Sequence, residues 1–126
     1  MDHIEELGAN VIYLTPIFPG RSNHRYNASS FAVVDPLLGG DAALARLCEA
    51  AHSRGMRVIG DFTSNHTGST HEWFVRAQED PHARERDFYY WREDGSYVAW
   101  FDVPSLPKLN HASPGLHKHL FEEAAG

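Results

Sequence analysis

Three polar residues follow an apolar run in the segment Met56-Arg57-Val58-Ile59-Gly60-Asp61-Phe62-Thr63-Ser64-Asn65-His66. Asp61 offers a carboxylate, Asn65 an amide with a donor and an acceptor end, and His66 an imidazole with one donor and one acceptor when neutral. Val58 and Ile59 suit a buried strand, and Asp61 falls where that strand should emerge into a loop. Polar groups at the C-terminal end of a buried parallel strand are where α/β barrels assemble their sites. Spaced as D-x-x-x-N-H, the three groups could present hydrogen bonds to a polyhydroxylated ligand. The same pattern also fits an aspartate that only caps a loop.

The surrounding pattern predicts what holds these groups in place. An opening helical turn at residues 2–7 ends at Gly8, and a strand follows at 10–14. A polar loop from Thr15 to Gly40 carries Pro16, Pro19, Gly20 and Asn23 and lacks helical periodicity. Asp41 then reads as an N-cap, with Leu44, Leu47, Cys48 and Ala51 on one helical face and Gly55 as the stop. With a strand at 57–61, this is a strand–helix–strand unit, expected to be parallel with a right-handed crossover. Beyond His66 the spacing predicts a short helix over 70–78 that buries Trp73, Phe74 and Ala77. Aromatic-rich arms at 87–93 and 96–101 flank Asp94-Gly95, a type I′ hairpin signal. Ser113 and Pro114 read as the cap and first residue of a helix over 113–123.

With 126 residues and a formal charge of −6, the chain can bury one core. Its sign of charge argues against nucleic acid or an anionic membrane as a partner. No segment approaches the roughly 20 apolar residues needed to cross a bilayer. The N-terminal Met1-Asp2-His3-Ile4-Glu5-Glu6 lacks a basic and apolar leader, and a cytoplasmic location is expected. Cys48 is the single cysteine, so it has no intrachain disulfide partner, and its helical position predicts a small buried thiol. The histidines other than His66 are read as scattered surface groups rather than a zinc site: His117 and His119 are two apart on a helix, and His71 and His82 have unrelated phases.

Further segments extend the pattern. Gly8-Ala9-Asn10-Val11-Ile12-Tyr13-Leu14-Thr15-Pro16-Ile17-Phe18 is an apolar strand ending in Thr-Pro. Asn23-His24-Arg25-Tyr26, Val34-Asp35-Pro36-Leu37-Leu38-Gly39-Gly40 and Leu106-Pro107-Lys108-Leu109-Asn110 follow around the first motif. In this order, and over essentially the whole chain, they resemble the alpha-amylase family (glycoside hydrolase family thirteen). The Leu-Pro-Lys-Leu-Asn form is similar to the neopullulanase, cyclomaltodextrinase and maltodextrin-glucosidase branch. The resemblance implies an α/β fold made of part of a (β/α)8 TIM barrel, strands 2 and 3 with their helix, over residues 1–66. It implies a small inserted domain B over 67–110 and the start of the next barrel helix over 111–126. A whole barrel takes about 250 residues. Two strands cannot close one and should leave apolar patches and unpaired edges.

The activity implied is retaining hydrolysis of α-1,4 bonds in maltodextrins, which needs a nucleophilic carboxylate and an acid/base carboxyl about 5–5.5 Å apart. In the family these come from later strands, beyond Gly126, so no catalytic residue is expected here and the chain alone should be inactive. Asp61 matches an aspartate of the site floor, expected to accept hydrogen bonds from a neighbouring arginine; a catalytic pairing with Asp102 is rejected. His66 matches a histidine that hydrogen-bonds the sugar, or else packs as a structural loop residue. Tyr26 matches a tyrosine that stacks on it, or else wedges against the barrel. Asn27 stands where exo-acting relatives often have an aspartate, and Ser30-Phe31 replaces their Asp-Tyr, which weakens an exo-glucosidase reading. Asn65 matches a calcium ligand of many amylases. Asn110 in place of an aspartate, and the charge of Lys108, lead to the expectation of no calcium and no other cofactor. Trp73, Trp91 and Trp100 are read as core of the insert, with one free to line a distal sugar subsite. Two further readings stay open: a glucan transferase or trehalose-synthase-like isomerase, and a non-catalytic carbohydrate-binding scaffold.

Overall fold

A computed structural model describes residues 1–123; residues 124–126, the end of the stretch assigned to the last helix, lie outside them. The elements run α1 (Asp2–Glu6), β1 (Val11–Leu14), α2 (Gly40–Ser53), β2 (Arg57–Gly60), α3 (Glu72–Glu79) and α4 (Pro114–Lys118). Short 3-10 turns occupy Pro36–Leu38, Arg84–Phe88 and Trp100–Asp102, and a π turn, His119–Glu123, continues α4.

β1 and β2 pair in parallel, with Tyr13 opposite Ile59 and Leu14 opposite Gly60, and α2 is the crossover between them. The expected cap of α2 differs. Gly39 takes the N-cap at φ 100°, where a Cβ would sit 2.7 Å from the Ala43 methyl. Asp41 lies in the first turn, and its carboxylate accepts from the Val34 amide at 2.7 Å, fastening the incoming loop. Gly55 adopts φ 71° just past the helix, the left-handed position expected of a stop.

The strands are not the buried layer that their composition suggested. Ile59 is 50 % exposed and Tyr13 59 %, and the α2 face of Leu44, Leu47 and Cys48 is only half-buried. Two strands with one helix cover one face of a sheet and leave the other to water. The closed core lies in the second half of the chain, where Trp73, Phe74, Ala77, Phe88, Tyr89, Leu109 and Leu116 pack together. The residues predicted to be inward on α3 are there, but α3 starts later than expected. His71 has extended backbone, and its Nδ1 accepts from the Trp73 amide as the cap. The last helix starts as expected, with Ser113 Oγ accepting from the Leu116 amide and Pro114 in the first turn.

The aromatic arms meet at isolated bridges, Trp91 with Tyr97 and Ala99 with Pro107, and the first arm begins as a 3-10 turn. The connection is not type I′, which needs positive φ at both central residues. Only Gly95 is left-handed there, its amide donating to the Arg92 carbonyl at 3.0 Å. Asp94 instead turns its carboxylate onto the Ser96 amide and hydroxyl, a local bond that favours an ordinary right-handed conformation.

Candidate functional site

Asp61 follows β2 directly, its amide donating to the Leu14 carbonyl at 2.9 Å. Side chains alternate along a strand, so Asp61 points to the same face as Ile59 and its partner Tyr13. The phenols of Tyr13 and Tyr26 both donate to Asp61 Oδ2, each at 2.8 Å. The expected arginine is not its partner among the described residues. Arg25, the cation nearest in sequence to Tyr26, instead donates from Nε to Asp35 Oδ2 at 2.8 Å. That bond, with the Leu37 amide, holds the Asp35 carboxyl below its usual range. The carboxylate hydrogen bond, with burial and charge behind it, pushes both phenols above their ordinary pKa.

The loop carrying Tyr26 is braced from several directions. Gly20 and Ala28 form a bridge across it, and Ser22 Oγ donates to Asn27 Oδ1 at 2.6 Å. His24 Nδ1 accepts from the Tyr26 amide at 3.1 Å, and the two rings stack at 5.7 Å. Arg25 sits at φ 58°, a left-handed conformation uncommon for a residue with a Cβ, held by its bond to Asp35. From the other side Gly68 donates to the Ala28 carbonyl at 2.8 Å, and a Cβ on it would lie 2.3 Å from the Asn27 carbonyl. Only glycine lets these two loops touch.

His66 is buried, and its tautomer follows from its neighbours. Lys108 Nζ can only donate, and it lies 3.0 Å from Asn65 Oδ1. The amide nitrogen of Asn65 therefore faces His66 Nδ1, at 3.2 Å, and Nδ1 accepts. The proton sits on Nε2, which donates to the Tyr26 carbonyl at 3.1 Å. Burial first, and the Lys108 charge as well, lower the His66 pKa and keep the ring neutral.

Tyr26 and His66 open onto one cavity of about 570 Å³, together with His24, Thr63, Asn65, Trp100 and Leu106. That volume falls within the range of about 300–1,000 Å³ common to small-molecule sites. Asp61 contributes from behind, through the Tyr26 hydroxyl. Asn27 lies outside the lining, its amide oxygen engaged by Ser22. Asp102 lines a separate hollow with Arg92 and Tyr97, away from the group around Asp61. Among the described residues no cluster of three His, Cys, Asp or Glu side chains could hold a metal ion, and no helix is long and apolar enough to cross a membrane. His71 is a correction to the surface-histidine reading: it is fully buried between Phe31 and Trp73.

Tyr13 carries no expected role, and Trp100, expected as core of the insert or as a distal subsite residue, is 44 % exposed in the cavity lining. Tyr13 had a signal in the strand register, since it pairs with the residue two before Asp61. Nothing in the sequence singled Trp100 out from Trp73 and Trp91, because a left-handed turn at Phe101 and Asp102 follows it directly.

The family model for the alpha amylase catalytic domain matches residues 1–112. The intracellular maltogenic amylase of Bacillus subtilis is 34 % identical over 98 % of this chain, which spans 22 % of that protein. The glucan 1,6-alpha-glucosidase of Streptococcus dysgalactiae is 32 % identical over 98 % of the chain, and 23 % of its own length is covered. The debranching enzyme of Nostoc punctiforme superposes with a TM-score of 0.85 at 34 % identity, over 94 % of this chain and 27 % of that structure.

Proposed function

This chain belongs to the alpha-amylase family, and we propose that it forms one wall of the sugar-binding site of a retaining α-glucan hydrolase. The observation that carries this reading is the convergence of Tyr26 and His66 on one cavity, with Asp61 fastening Tyr26 from below. In this reading residues 1–66 supply strands 2 and 3 of the barrel, and 67–110 form an inserted domain that closes the cavity on one side. The chain spans about a quarter of the relatives it matches. The nucleophile and acid/base come from barrel strands outside these residues, and the 126-residue chain by itself is inactive. One of its relatives is an intracellular maltogenic amylase, which fits a cytoplasmic maltodextrin substrate.

The chemistry of the wall is binding and orientation. The Tyr26 ring, 38 % exposed, offers a flat apolar face to the C–H face of a pyranose. The neutral His66 presents Nε2–H beside it, and a sugar hydroxyl can share that proton with the Tyr26 carbonyl. Contacts of this kind accelerate hydrolysis only where they tighten as the ring flattens toward an oxocarbenium ion. Asn65 is held by Lys108, whose ammonium occupies the oxygen that a calcium ion would need, so we assign it a structural role without calcium.

The test is His66→Ala in the complete catalytic domain, with maltotriose as substrate. A fall in kcat/KM of about 10²-fold is expected. An unchanged value would remove His66, and with it this cavity, from the sugar site.

A further inference from the structure

Arg25 holds a backbone conformation that its own side chain makes costly. Its φ is 58°, in the left-handed region where a Cβ crowds the following carbonyl and glycine sits without strain. Such strain persists only where surrounding structure holds it, and it gathers where a loop must present a functional neighbour. The neighbour here is Tyr26. The loop carrying both residues is closed at its neck by the Gly20–Ala28 bridge and by the Ser29 amide, which donates to the Pro19 carbonyl at 2.8 Å. Near its tip, the Arg25 amide donates to Ser22 Oγ at 3.2 Å and Nη1 donates to the Asn23 carbonyl at 3.1 Å. Those bonds stay inside the loop. The bond from Nε leaves it, donating to Asp35 Oδ2 at 2.8 Å.

Asp35 is itself firmly held. Its amide donates to the Ile17 carbonyl at 2.8 Å, just beyond β1, and its carbonyl accepts from the Gly40 amide at 3.2 Å, where α2 begins. Its Oδ1 accepts from the Leu37 amide at 2.9 Å, so both carboxylate oxygens are engaged. The Arg25 and Asp35 side chains are only 18 % and 6 % exposed. A pair so withdrawn from water escapes the screening that leaves surface pairs nearly worthless. Neither residue lines the cavity, so the pair acts on a ligand there through Tyr26. The Tyr26 carbonyl accepts from His66 Nε2 at 3.1 Å and its hydroxyl donates to Asp61 at 2.8 Å. A rotation of the backbone at Arg25 would swing both groups off their partners.

We propose that Arg25 is a positioning residue: its ion pair with Asp35 latches the left-handed turn to the β1–α2 scaffold and so fixes where the Tyr26 ring stands. A glycine would fit the turn but supply no tether, and the loop would then be ordered only as a ligand bound. The inference rests on the reading of Tyr26 as a wall of the sugar site. It adds to that reading the residue that aims the wall.

The complete catalytic domain tests it, with carbon-13 at the tyrosine Cζ atoms, Tyr26 assigned through Tyr26→Phe, and acarbose binding measured alongside. Arg25→Ala keeps the strain and strands the buried Asp35 carboxylate, which costs folding. The double variant Arg25→Gly/Asp35→Asn avoids both, because glycine adopts the turn freely and the amide oxygen still accepts from Leu37. In it the Tyr26 phenol should titrate closer to the ordinary tyrosine value than in the wild type, as its bond to Asp61 loosens. Tyr13 should keep the wild-type curve and so serves as the control for folding. Acarbose should bind about tenfold more weakly. A Tyr26 curve identical to wild type, or Tyr13 and Tyr26 moving together, overturns the latch. A loosened Tyr26 with unchanged acarbose affinity upholds the latch and takes Tyr26 out of the sugar site. A wild-type domain that does not bind acarbose overturns the sugar reading, and the tyrosine titration still decides the latch.

Discussion

Tyr26 Oη donates to Asp61 Oδ2 at 2.8 Å although 35 residues separate them in the chain. This bond ties the loop after β1 to the end of β2. Tyr13 donates to the same oxygen, so one carboxylate organises two rings. Asp61→Asn, made in the complete catalytic domain, should remove the charged acceptor and let both phenols ionise at lower pH. Spectrophotometric tyrosine titration reads this directly. A titration curve identical to wild type would mean that the tyrosines owe nothing to Asp61.

Lys108 acts on His66 through Asn65. Its ammonium fixes which end of the Asn65 amide faces the ring, and the amide fixes the tautomer. Lys108→Met should raise the His66 pKa toward its ordinary value by removing a nearby positive charge. It should also free the amide to turn over, mixing the two neutral tautomers. Nitrogen-15 NMR of the histidine ring distinguishes these states. A single Nε2–H tautomer with the wild-type pKa would sever the proposed relay.

Gly68 is where the two loops of the site come closest. Gly68→Ala would place a methyl group 2.3 Å from the Asn27 carbonyl, a clash with backbone that only a loop shift relieves. A loss of about 2–3 kcal/mol is expected, with weaker sugar binding because Tyr26 moves. Gly115→Ala is the control. Its Cβ would meet the Phe88 ring at an ordinary 3.5 Å, and alanine in a helix is favoured by about 0.5–1 kcal/mol. Comparable melting temperatures for the two variants would remove the steric argument.

His71 predicts a pH dependence of stability. Burial drives its pKa from 6.5 down to about 3, so the folded state holds the ring neutral while the unfolded chain protonates it. Its stabilising contribution is complete above pH 6.5. It falls by up to about 1.4 kcal/mol per pH unit as the medium is acidified toward pH 3. Asp35 and Glu85, both lowered, lose stability in the same direction at the acid end. His71→Asn keeps an acceptor for the Trp73 amide but does not titrate, so denaturant midpoints between pH 6 and 4.5 should flatten. A slope as steep as wild type would place the acid sensitivity elsewhere.

The exposed strands make a prediction for the chain by itself. Val11, Tyr13 and Ile59 are each 41–59 % exposed along one small sheet, and parallel strands are normally covered on both faces. The isolated 126-residue polypeptide should self-associate, with concentration-dependent elution and dye-binding apolar surface. A monomer with a sharp cooperative melt would contradict this.

The local elements were readable because their causes are local. The parallel strands, the crossover helix between them, the Ser113–Pro114 helix start and the Trp73–Phe74–Ala77 face all follow from periodicity and capping chemistry within a few residues. The order of the motifs marked the family for the same reason. Caps and turns differ where a side chain takes another polar partner: Asp41 serves the Val34 amide rather than its own helix, Asp94 holds Ser96, and His71 Nδ1 accepts from the Trp73 amide.

The amino-acid order alone thus determined the fold class and singled out Tyr26, Asp61, Asn65 and His66, since strand ends and turn residues are written in neighbouring positions. Tertiary structure alone decided how those groups meet. Among the described residues two tyrosines reach Asp61, Asn27 is bonded to Ser22 outside the cavity lining, and Trp100 joins the rim. Those outcomes depend on contacts between residues far apart in the chain, where a few ångströms of loop position choose the partner, and no local pattern carries that information.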